Sequence, residues 1–264
     1  MGCRNTDQVP QLQMNAPVVL SLETATMGGS VWLGKGAVQL ATRIGDPKVS
    51  RSGNLLRDIS NSLDEAGVKL AEVDLFACAS GPGSFTGLRI GIATLKALAA
   101  SLSRPCLGIP TLHAVAHAGG PSRATVALLP AGRGEVFAQM FSVVEDGTVT
   151  ELDAAAHLSP PGLVERYAGY MNLRWAGSGA HLQRALLASQ AQQQGIYFSE
   201  ELIEEKTTAR VGGTWELAAP EFNLAKHVAA LALQRFQPGE IQSAHSLSAI
   251  YVRPSDAEMN QKCR

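Results

Sequence analysis

Two histidines one helical turn apart, His113 and His117, have the residue type and spacing of a metal-binding pair. Imidazoles at positions i and i+4 can reach one metal ion from the same face of a helix. No Asp or Glu occurs from Leu75 to Gly134, so a third ligand is missing nearby, as is the glutamate base of an H-E-x-x-H metallopeptidase. The pattern therefore predicts no metal site, and a metallopeptidase is kept as an alternative function.

A glycine-rich stretch, ASGPGSFTG at residues 79–87, follows one apolar run and opens another. Its glycine spacing is GxGxxxG, one residue longer than the dinucleotide-binding fingerprint, and no acid follows at about 20 residues to hold a ribose. The stretch also lacks the Gly-Lys-Ser/Thr that closes a P-loop. It is either a tight turn, which the sequence favours, or an anion or nucleotide loop at a helix N-terminus. The candidates for that loop are Gly81, Gly83, Ser84 and Thr86.

Two further sets of residues could do chemistry, but each lacks its partners. Glu23 and Thr24, in the strand candidate VVLSLETAT, could orient Mg²⁺ in a nucleotide-hydrolysing relative of the sugar kinases. Such an enzyme also needs a second phosphate loop and an acid that binds Mg²⁺, and ASGPGSFTG offers neither. Ser84 has no G-x-S-x-G elbow around it. The sequence thus predicts no catalytic residue, no metal and no intrinsic cofactor.

The composition is that of an ordinary globular protein with room for two modest domains. The chain has 264 residues, 45% of them hydrophobic, and a formal net charge of -1. This charge makes the whole molecule a poor electrostatic trap for nucleic acid. Four arginines nevertheless fall in the acid-free stretch, namely Arg89, Arg104, Arg123 and Arg133. A tRNA-binding module that acts through these arginines is a further alternative.

The cysteines and the hydropathy pattern restrict the cellular compartment. The 4 cysteines lie far apart without CxxC spacing, so the sequence indicates neither a zinc site nor a disulfide framework. No run of about 18 apolar residues exists, so no membrane span is predicted. Together these features favour a reducing cytoplasm.

The apolar patterns predict two α/β units in succession. The first unit contains a meander of three strands that begins at VVLSLETAT, and it then alternates helix and strand. Its helices are predicted at residues 52–66, 85–103 and 111–118. The second unit begins after Gly120 with the strands ATVALLPA and EVFAQMFSVV. A strand at LRWAGS and helices at 180–194 and 223–236 follow.

The helix predicted at 85–103 is apolar on nearly all sides, with Arg89 and Lys96 as its only charges. Such a helix is expected to be buried on more than one side. One side would pack on a sheet, and small residues elsewhere would let a second helix approach closely. That second helix is either the one at 52–66 or part of another chain. The small residues are Gly87, Gly91, Ala93 and Ala97.

Segments along most of the chain after Ala16 resemble one protein family, TsaB, also called YeaZ. The matching segments are LSLETATMGGSVWL, SGNLLRDISNSLDEAGV, ASGPGSFTGLRIGIATLKALA, CLGIPTLHAVA, LLPAGRGEVFAQMF, RWAGSGAHL and AIYVRPSDAE. The resemblance implies an α/β fold of the actin-like ATPase (sugar kinase and Hsp70) superfamily, with two related lobes of mixed sheet and helices. The expected division is a disordered extension at 1–16, an amino-terminal lobe with the partner interface at 17–118, and a carboxyl-terminal lobe at 119–264.

The resemblance also implies a function. A member of this family is expected to be a noncatalytic scaffold and activating subunit, which dimerises with TsaD for threonylcarbamoyl transfer to the adenosine beside the anticodon of tRNA. TsaE is expected to join the pair, ATP and metal to bind the partner subunits, and tRNA to be met through the complex. The resemblance also allows a homodimer in isolation, and it implies a cytoplasmic protein without a membrane. Proteins of this family have also been described as glycoproteases, which is the metallopeptidase alternative.

In this family the two amino-terminal helices pair with their counterparts in the partner. The residues expected at this interface are Leu55, Ile59, Leu63, Leu88, Arg89, Ile92, Leu95 and Lys96. The resemblance places the metal ligands of TsaD near Thr111 and Val115, so the histidine pair of this chain is out of register by two. The sequence departs from the family pattern at Glu23, where Asp is usual, and at Arg51-Ser52, where His-Ser is frequent.

Overall fold

The computed structural model describes residues 16–46, 54–200, 212–236 and 247–252. Most of the extension predicted at 1–16, the predicted helix start at 52 and the end of the AIYVRPSDAE segment lie outside these ranges. Within them the strands form two sheets, one built from residues 18–109 and the other from residues 122–217.

The first sheet contains the predicted three-strand meander. Its strands are β1 (Val18–Glu23), β2 (Ser30–Lys35), β3 (Val38–Ile44), β4 (Leu75–Ala79) and β5 (Cys106–Ile109), in the order β3-β2-β1-β4-β5. Antiparallel pairs join β1 to β2 and β2 to β3, whereas β4 and β5 run parallel to β1. Strand β1 is buried on both faces, which explains the near-continuous apolar run VVLSL.

The second sheet repeats this arrangement with additions. Its strands are β6 (Ser122–Gly132), β7 (Glu135–Val143), β8 (Val149–Glu151), β9 (Ala156–Leu158), β10 (Asn172–Ala176), β11 (Tyr197–Glu200) and β12 (Thr214–Leu217). Their order is β11-β12-β10-β6-β7-β8, and β9 also pairs with β7. A central strand is again flanked by an antiparallel hairpin on one side and by parallel strands on the other. The predicted α/β fold with two related lobes of mixed sheet is therefore confirmed.

The helices form layers around the two sheets. They are α1 (Leu55–Ala66), α2 (Phe85–Ser101), α3 (Thr111–Ala118), α4 (Pro160–Tyr167), α5 (Ser178–Leu182), α6 (Arg184–Gln193) and α7 (Leu224–Arg235). Helices α1 and α2 cover the outer face of the first sheet, and α4 and α6 cover the outer face of the second. Between the sheets lie α7, which packs on the first sheet, and α3, which packs on α7 and on the second sheet.

The structure corrects the helix predicted at 180–194. It consists of α5 and α6, which meet at Gln183, a buried residue whose side-chain amide donates to the carbonyl oxygen of Gly134. The short elements β8, β9, α4, β11 and β12 escaped the sequence reasoning, because most have few residues and no clear periodicity. The division of the chain at residues 118 and 119 stays a prediction, and α7 packs across it onto the first sheet. Among the described helices, none has the length and apolarity that a membrane crossing needs.

Two glycines on α2 allow close packing against the turn after β1 and are not free for a second helix. A Cβ atom on Gly87 would clash with the carbonyl oxygen of Thr24, and one on Gly91 would clash with the hydroxyl of the same residue. Ala93 and Ala97 are exposed on the outer side of the helix. The expectation of a second helix over all four small residues is thus wrong for the two glycines.

Candidate functional site

A cleft of about 850 Å³ opens between the two lobes. The first lobe contributes the turn after β1 and the loop before α2, and the second contributes the β6–β7 hairpin, the loop after β10 and residues 218–222. The segment 250–252 also reaches its wall. Ligand sites in α/β proteins commonly occur where strands end and connections diverge. This cleft is therefore the candidate site, and its chemistry depends on the loops that line it.

The glycine-rich loop before α2 is held by its own neighbours. The amide of Gly81 donates to Oγ1 of Thr111 at 3.0 Å, and the amide of Ser84 donates to the carbonyl oxygen of Ala25 at 2.7 Å. A Cβ on Gly83, whose φ is +156°, would lie 2.5 Å from that same carbonyl oxygen. The glycines thus permit close backbone packing, which is the tight-turn alternative that the sequence favoured.

The predicted anion or nucleotide loop consequently keeps few of its groups for a ligand. The amides of Gly81 and Ser84 already donate within the chain, and Oγ of Ser84 accepts from the amide of Gly87 as the N-cap of α2. Gly83 and Ser84 line the cleft, and Thr86 is exposed on the first turn of the helix. Binding of an anion there stays a prediction.

Glu23 braces the turn that carries it. Its side chain is fully buried, and its two carboxylate oxygens accept from the amide and the hydroxyl of Thr26 at 2.8 and 2.6 Å. These two hydrogen bonds hold the carboxyl group at the turn. The position where a sugar kinase relative would orient Mg²⁺ therefore has a structural task in this chain.

Six of the eight residues predicted at the partner interface lie in the core of the first lobe. Their side chains are at most 8% exposed, and five of the six belong to one apolar cluster between the sheet and the helices. They are Leu55, Ile59, Leu63, Leu88, Ile92 and Leu95. The pairing of these helices with a partner is untested, but the residue assignment needs correction: these side chains face inward because they cover their own sheet.

The two charged residues of that prediction have different surroundings. Arg89 is exposed, and its guanidinium carbon lies 3.9 Å from the ring centroid of Phe85. Lys96 is half-buried and donates to the carbonyl oxygen of Leu247 at 3.1 Å. Of the other predicted arginines, Arg104 is paired with Asp74, at 3.3 Å.

The predicted histidine pair does not converge on one point. Nε2 of His113 lies 3.0 Å from Oε1 of Glu151, and burial lowers the pKa of His113 despite that carboxylate. His117 meets His227 of α7 instead, with 2.8 Å between their Nδ1 atoms. Within the described ranges, no group of three or more potential ligands surrounds a metal position.

A hydrogen-bonded series joins α3 and α7 at the edge of the cleft. Nε2 of His227 lies 3.2 Å from a carboxylate oxygen of Glu221, which can only accept, so His227 donates there. In its neutral form His227 accepts at Nδ1, and His117 is the donor. Burial first, and then His227 and Lys226, lower the pKa of His117 to about 4. The hydrogen bond from His227 is the largest cause that lowers the pKa of Glu221 to about 2.

The cleft wall is mainly apolar and carries little charge. Of the described residues that line it, Glu221 is the one carboxylate, and none is a lysine or arginine. Phosphate chains and their Mg²⁺ ions need several cations or carboxylates in reach. The cleft therefore suits an uncharged group better than a nucleoside triphosphate.

Comparison with known proteins identifies the family. A family model described as TsaD, tRNA N6-adenosine threonylcarbamoyltransferase, matches residues 50–235. The chain belongs to this family. The resemblance to TsaB (YeaZ) is confirmed, since TsaB of Escherichia coli is 30% identical over 152 residues, which are 56% of this chain and 65% of that protein. A Pseudomonas aeruginosa protein described as similar to the peptidase YeaZ has a TM-score of 0.66 at 26% identity, over 90% of this chain and 100% of that one.

The match to sequence relatives is partial. It spans 65% of the length of the E. coli protein and 34% of a tRNA N6-adenosine threonylcarbamoyltransferase from Aeropyrum pernix, which is 31% identical over 121 residues. A second structure, YeaZ from P. aeruginosa, shares the fold with a TM-score of 0.65 at 23% identity, over 89% of this chain and 99% of that one. The family and the fold are thus shown, while activity and partners need separate arguments.

Sequence reasoning missed the wall that the second lobe contributes. One signal was present: GSG at 177–179 follows the strand β10 and opens α5, as the glycine-rich loop follows β4 and opens α2. No comparable pattern marks His227 or Glu221. Their roles arise because α7 returns across the first sheet and meets α3.

Proposed function

We propose that this chain is a noncatalytic scaffold and activating subunit that dimerises with TsaD in the threonylcarbamoyl modification of tRNA. TsaE is the further partner, and ATP and metal belong to the partner subunits. The observation that carries the proposal is the family match over residues 50–235, together with the likeness to YeaZ over nearly the whole chain. Work in the cytoplasm, and contact with tRNA through the complex, follow from this role.

The contacts of the residues that could have been catalytic support a noncatalytic role. Glu23 is hydrogen-bonded to its own turn, and His113 and His117 are directed to different partners. Catalytic groups need a shared position where a reacting atom can sit. These residues offer separate positions, so they support scaffold activity better than the metallopeptidase alternative.

The exposed sides of α1 and α2 provide the surface for a partner. Leu56 is 66% exposed on α1, so this large apolar side chain is available to a partner. On α2 the outer side carries Ala93, Ala97 and Ala100, whose small side chains allow a helix to approach closely. The proposed interface with TsaD, or with a second copy, therefore uses these outward residues.

Reconstitution tests the role directly. Threonylcarbamoyl transfer to unmodified tRNA is measured with TsaD, TsaE and the adenylate synthase of the same organism, with and without this chain. We expect modification only when the chain is added, and none from the chain alone. Equal transfer without the chain would contradict the scaffold role, and peptidase activity of metal-loaded chain would favour the alternative.

A pair of surface variants tests the interface. Leu56→Asp should abolish co-purification with TsaD while the variant stays folded, because the side chain is exposed. Leu152→Asp is the matched control, since Leu152 is 47% exposed on the second lobe. If Leu56→Asp binds TsaD as well as the control does, the interface lies elsewhere.

A further inference from the structure

Two aromatic side chains that line the cleft and an arginine beside one of them form a series of ring and cation contacts. The guanidinium carbon of Arg89 lies 3.9 Å from the centroid of the Phe85 ring, and the Phe85 and Tyr251 rings are 5.3 Å apart at 37°. Phe85 and Tyr251 both line the cleft. The partner-subunit role uses none of these ring contacts.

The chain holds this series firmly in place. Phe85 begins α2 directly after its N-cap. The amide of Ile250, next to Tyr251, donates to the carbonyl oxygen of Ser80 at 2.7 Å. Lys96 holds the carbonyl oxygen of Leu247 in the same segment. Tyr251 is thus fixed by its backbone neighbours, and its ring stays available to solvent.

Exposure makes the series available to a ligand. Tyr251 is 47% exposed, and Phe222, across the cleft on the second lobe, is 57% exposed. Flat rings left open at the mouth of a cleft are a surface on which another flat ring can stack. A nucleobase has such a face, and stacking on aromatic side chains accepts every base.

Charge distinguishes the mouth of the cleft from its interior. Arg89 is exposed, and within the described ranges no hydrogen bond or ion pair engages its guanidinium. No Asp or Glu occurs from Leu75 to Gly134, so the chain near Arg89 is free of acids. The lining carboxylate, Glu221, is hydrogen-bonded to His227. The mouth therefore suits one phosphate, and the interior suits an uncharged ring.

We propose that the mouth of the cleft binds an unpaired nucleobase of RNA, stacked on Tyr251, with a neighbouring phosphate on Arg89. This inference rests on the proposed function, which brings an anticodon loop to the complex. A single arginine matches a phosphodiester, which carries one charge per nucleotide, better than the chain of charges on a nucleoside triphosphate.

Binding of a fluorescent anticodon stem–loop RNA tests the proposal. Affinity is measured by anisotropy on the full chain alone and on its complex with TsaD. Tyr251→Ala should weaken binding about tenfold, as expected for the loss of one stacked base, while Tyr251→Phe should bind like the wild type. Arg89→Gln should weaken binding and reduce the slope of log affinity against log salt by about one.

Matched controls separate the site from general surface effects. Tyr170→Ala removes a ring that is 42% exposed on the second lobe, and Arg123→Gln removes another exposed arginine of the acid-free stretch. Both should bind RNA like the wild type. The proposal is overturned if neither preparation binds the RNA, if Tyr251→Ala and Arg89→Gln bind it normally, or if ATP displaces it stoichiometrically.

The outcomes also distinguish this site from the scaffold role. RNA binding that depends on Tyr251, by a chain that fails to bind TsaD, would support the site and refute the scaffold role. A working complex whose RNA affinity is unaffected by Tyr251→Ala would do the opposite.

Discussion

The two lobes place a glycine-bearing loop at the same point of the same topology. In the first lobe the loop follows β4, and Gly83 and Gly87 pack against the backbone after β1. In the second lobe the loop follows β10, and Gly177 and Gly179 pack against the backbone of Leu128 in β6. Because a side chain at these positions would strike backbone, the glycines are explained by packing in both lobes.

The lobes differ in what lies next to these loops. In each lobe the central strand pairs with a parallel neighbour. The residue that follows the last pair is Glu23 in the first lobe and Leu128 in the second. Both residues are fully buried, but only the first has a polar, ionisable side chain. The first loop also opens a helix of 17 residues, and the second opens one of 5. The comparison teaches that the shared topology supplies the cleft, while local side chains decide what each wall can do.

The largest effect on the free energy of unfolding is expected from substitutions of the loop glycines in the two lobes. Gly87→Ala should lower the free energy of unfolding by about 3 kcal/mol, because its Cβ would strike the Thr24 carbonyl oxygen and force backbone to move. Gly179→Ala should cost less, since its Cβ would lie 2.7 Å from the Leu128 backbone. Urea unfolding measures both. Gly169→Ala is the control, with no atom within 4 Å of its Cβ, and equal stability of all three variants would refute the packing explanation.

The next largest effect on the free energy of unfolding is expected from replacing the buried side chain of Glu23. Glu23→Leu, which gives the first lobe the residue type of the second, should lower the free energy of unfolding by about 2 kcal/mol, because the amide and hydroxyl of Thr26 lose their acceptor. Thr26→Val, which removes one of the two hydrogen bonds, should cost about half as much. If urea unfolding shows that the Glu23→Leu protein is as stable as the wild type, the hydrogen bonds to Thr26 do not stabilise the fold. The carboxylate of Glu23 would then be a candidate for a functional role.

A smaller effect on stability is expected from the protonation of His117, where α3 and α7 join the lobes. The pKa of His117 is lowered to about 4, so the unfolded chain binds a proton at a higher pH than the folded one. Stability should therefore fall by about 1 to 2 kcal/mol as the pH drops from about 6.5 towards 4, after allowance for solvent screening. Urea unfolding of His117→Gln should show a flatter pH dependence. An identical pH dependence in variant and wild type would show that His117 titrates normally.

The smallest effect on stability is expected on the outer helices. Ala93→Arg on α2 and Ala185→Arg on α6 alter exposed positions of the two lobes, so each should change the free energy of unfolding by less than about 0.5 kcal/mol. Only Ala93→Arg should prevent binding to TsaD in a pull-down, because we place the partner surface on the first lobe. Loss of binding by Ala185→Arg alone would move that surface to the second lobe.

The sequence predicted the fold class well because its strongest signals are local. The apolar run of β1, the helical spacing of Leu55, Ile59 and Leu63, and the short meander follow from periodicity within a few residues. The same periodicity shows which side of a helix is apolar, but it does not show whether a sheet or a partner covers it. Leu88 and Leu95 were therefore assigned to an interface, although the chain's own sheet and helices bury them.

The candidate site was only partly readable in advance. The glycine-rich loop and Glu23-Thr24 were recognised as two separate candidates, because each is a short continuous segment of the sequence. Tyr251 reaches the cleft, and His227 meets His117, only because the carboxyl-terminal part of the chain returns over the first lobe. No local pattern encodes that return.

By itself the sequence determined the two α/β units, the acid-free stretch and the family of this protein. The tertiary structure alone decided that Glu23 braces a turn, that His117 pairs with His227 and not with His113, and that the Phe85 ring contacts both Arg89 and Tyr251. The physical reason is that hydrogen bonds and ring contacts depend on distances between residues far apart in the chain. Those distances are fixed only when the two sheets and the helices between them have packed.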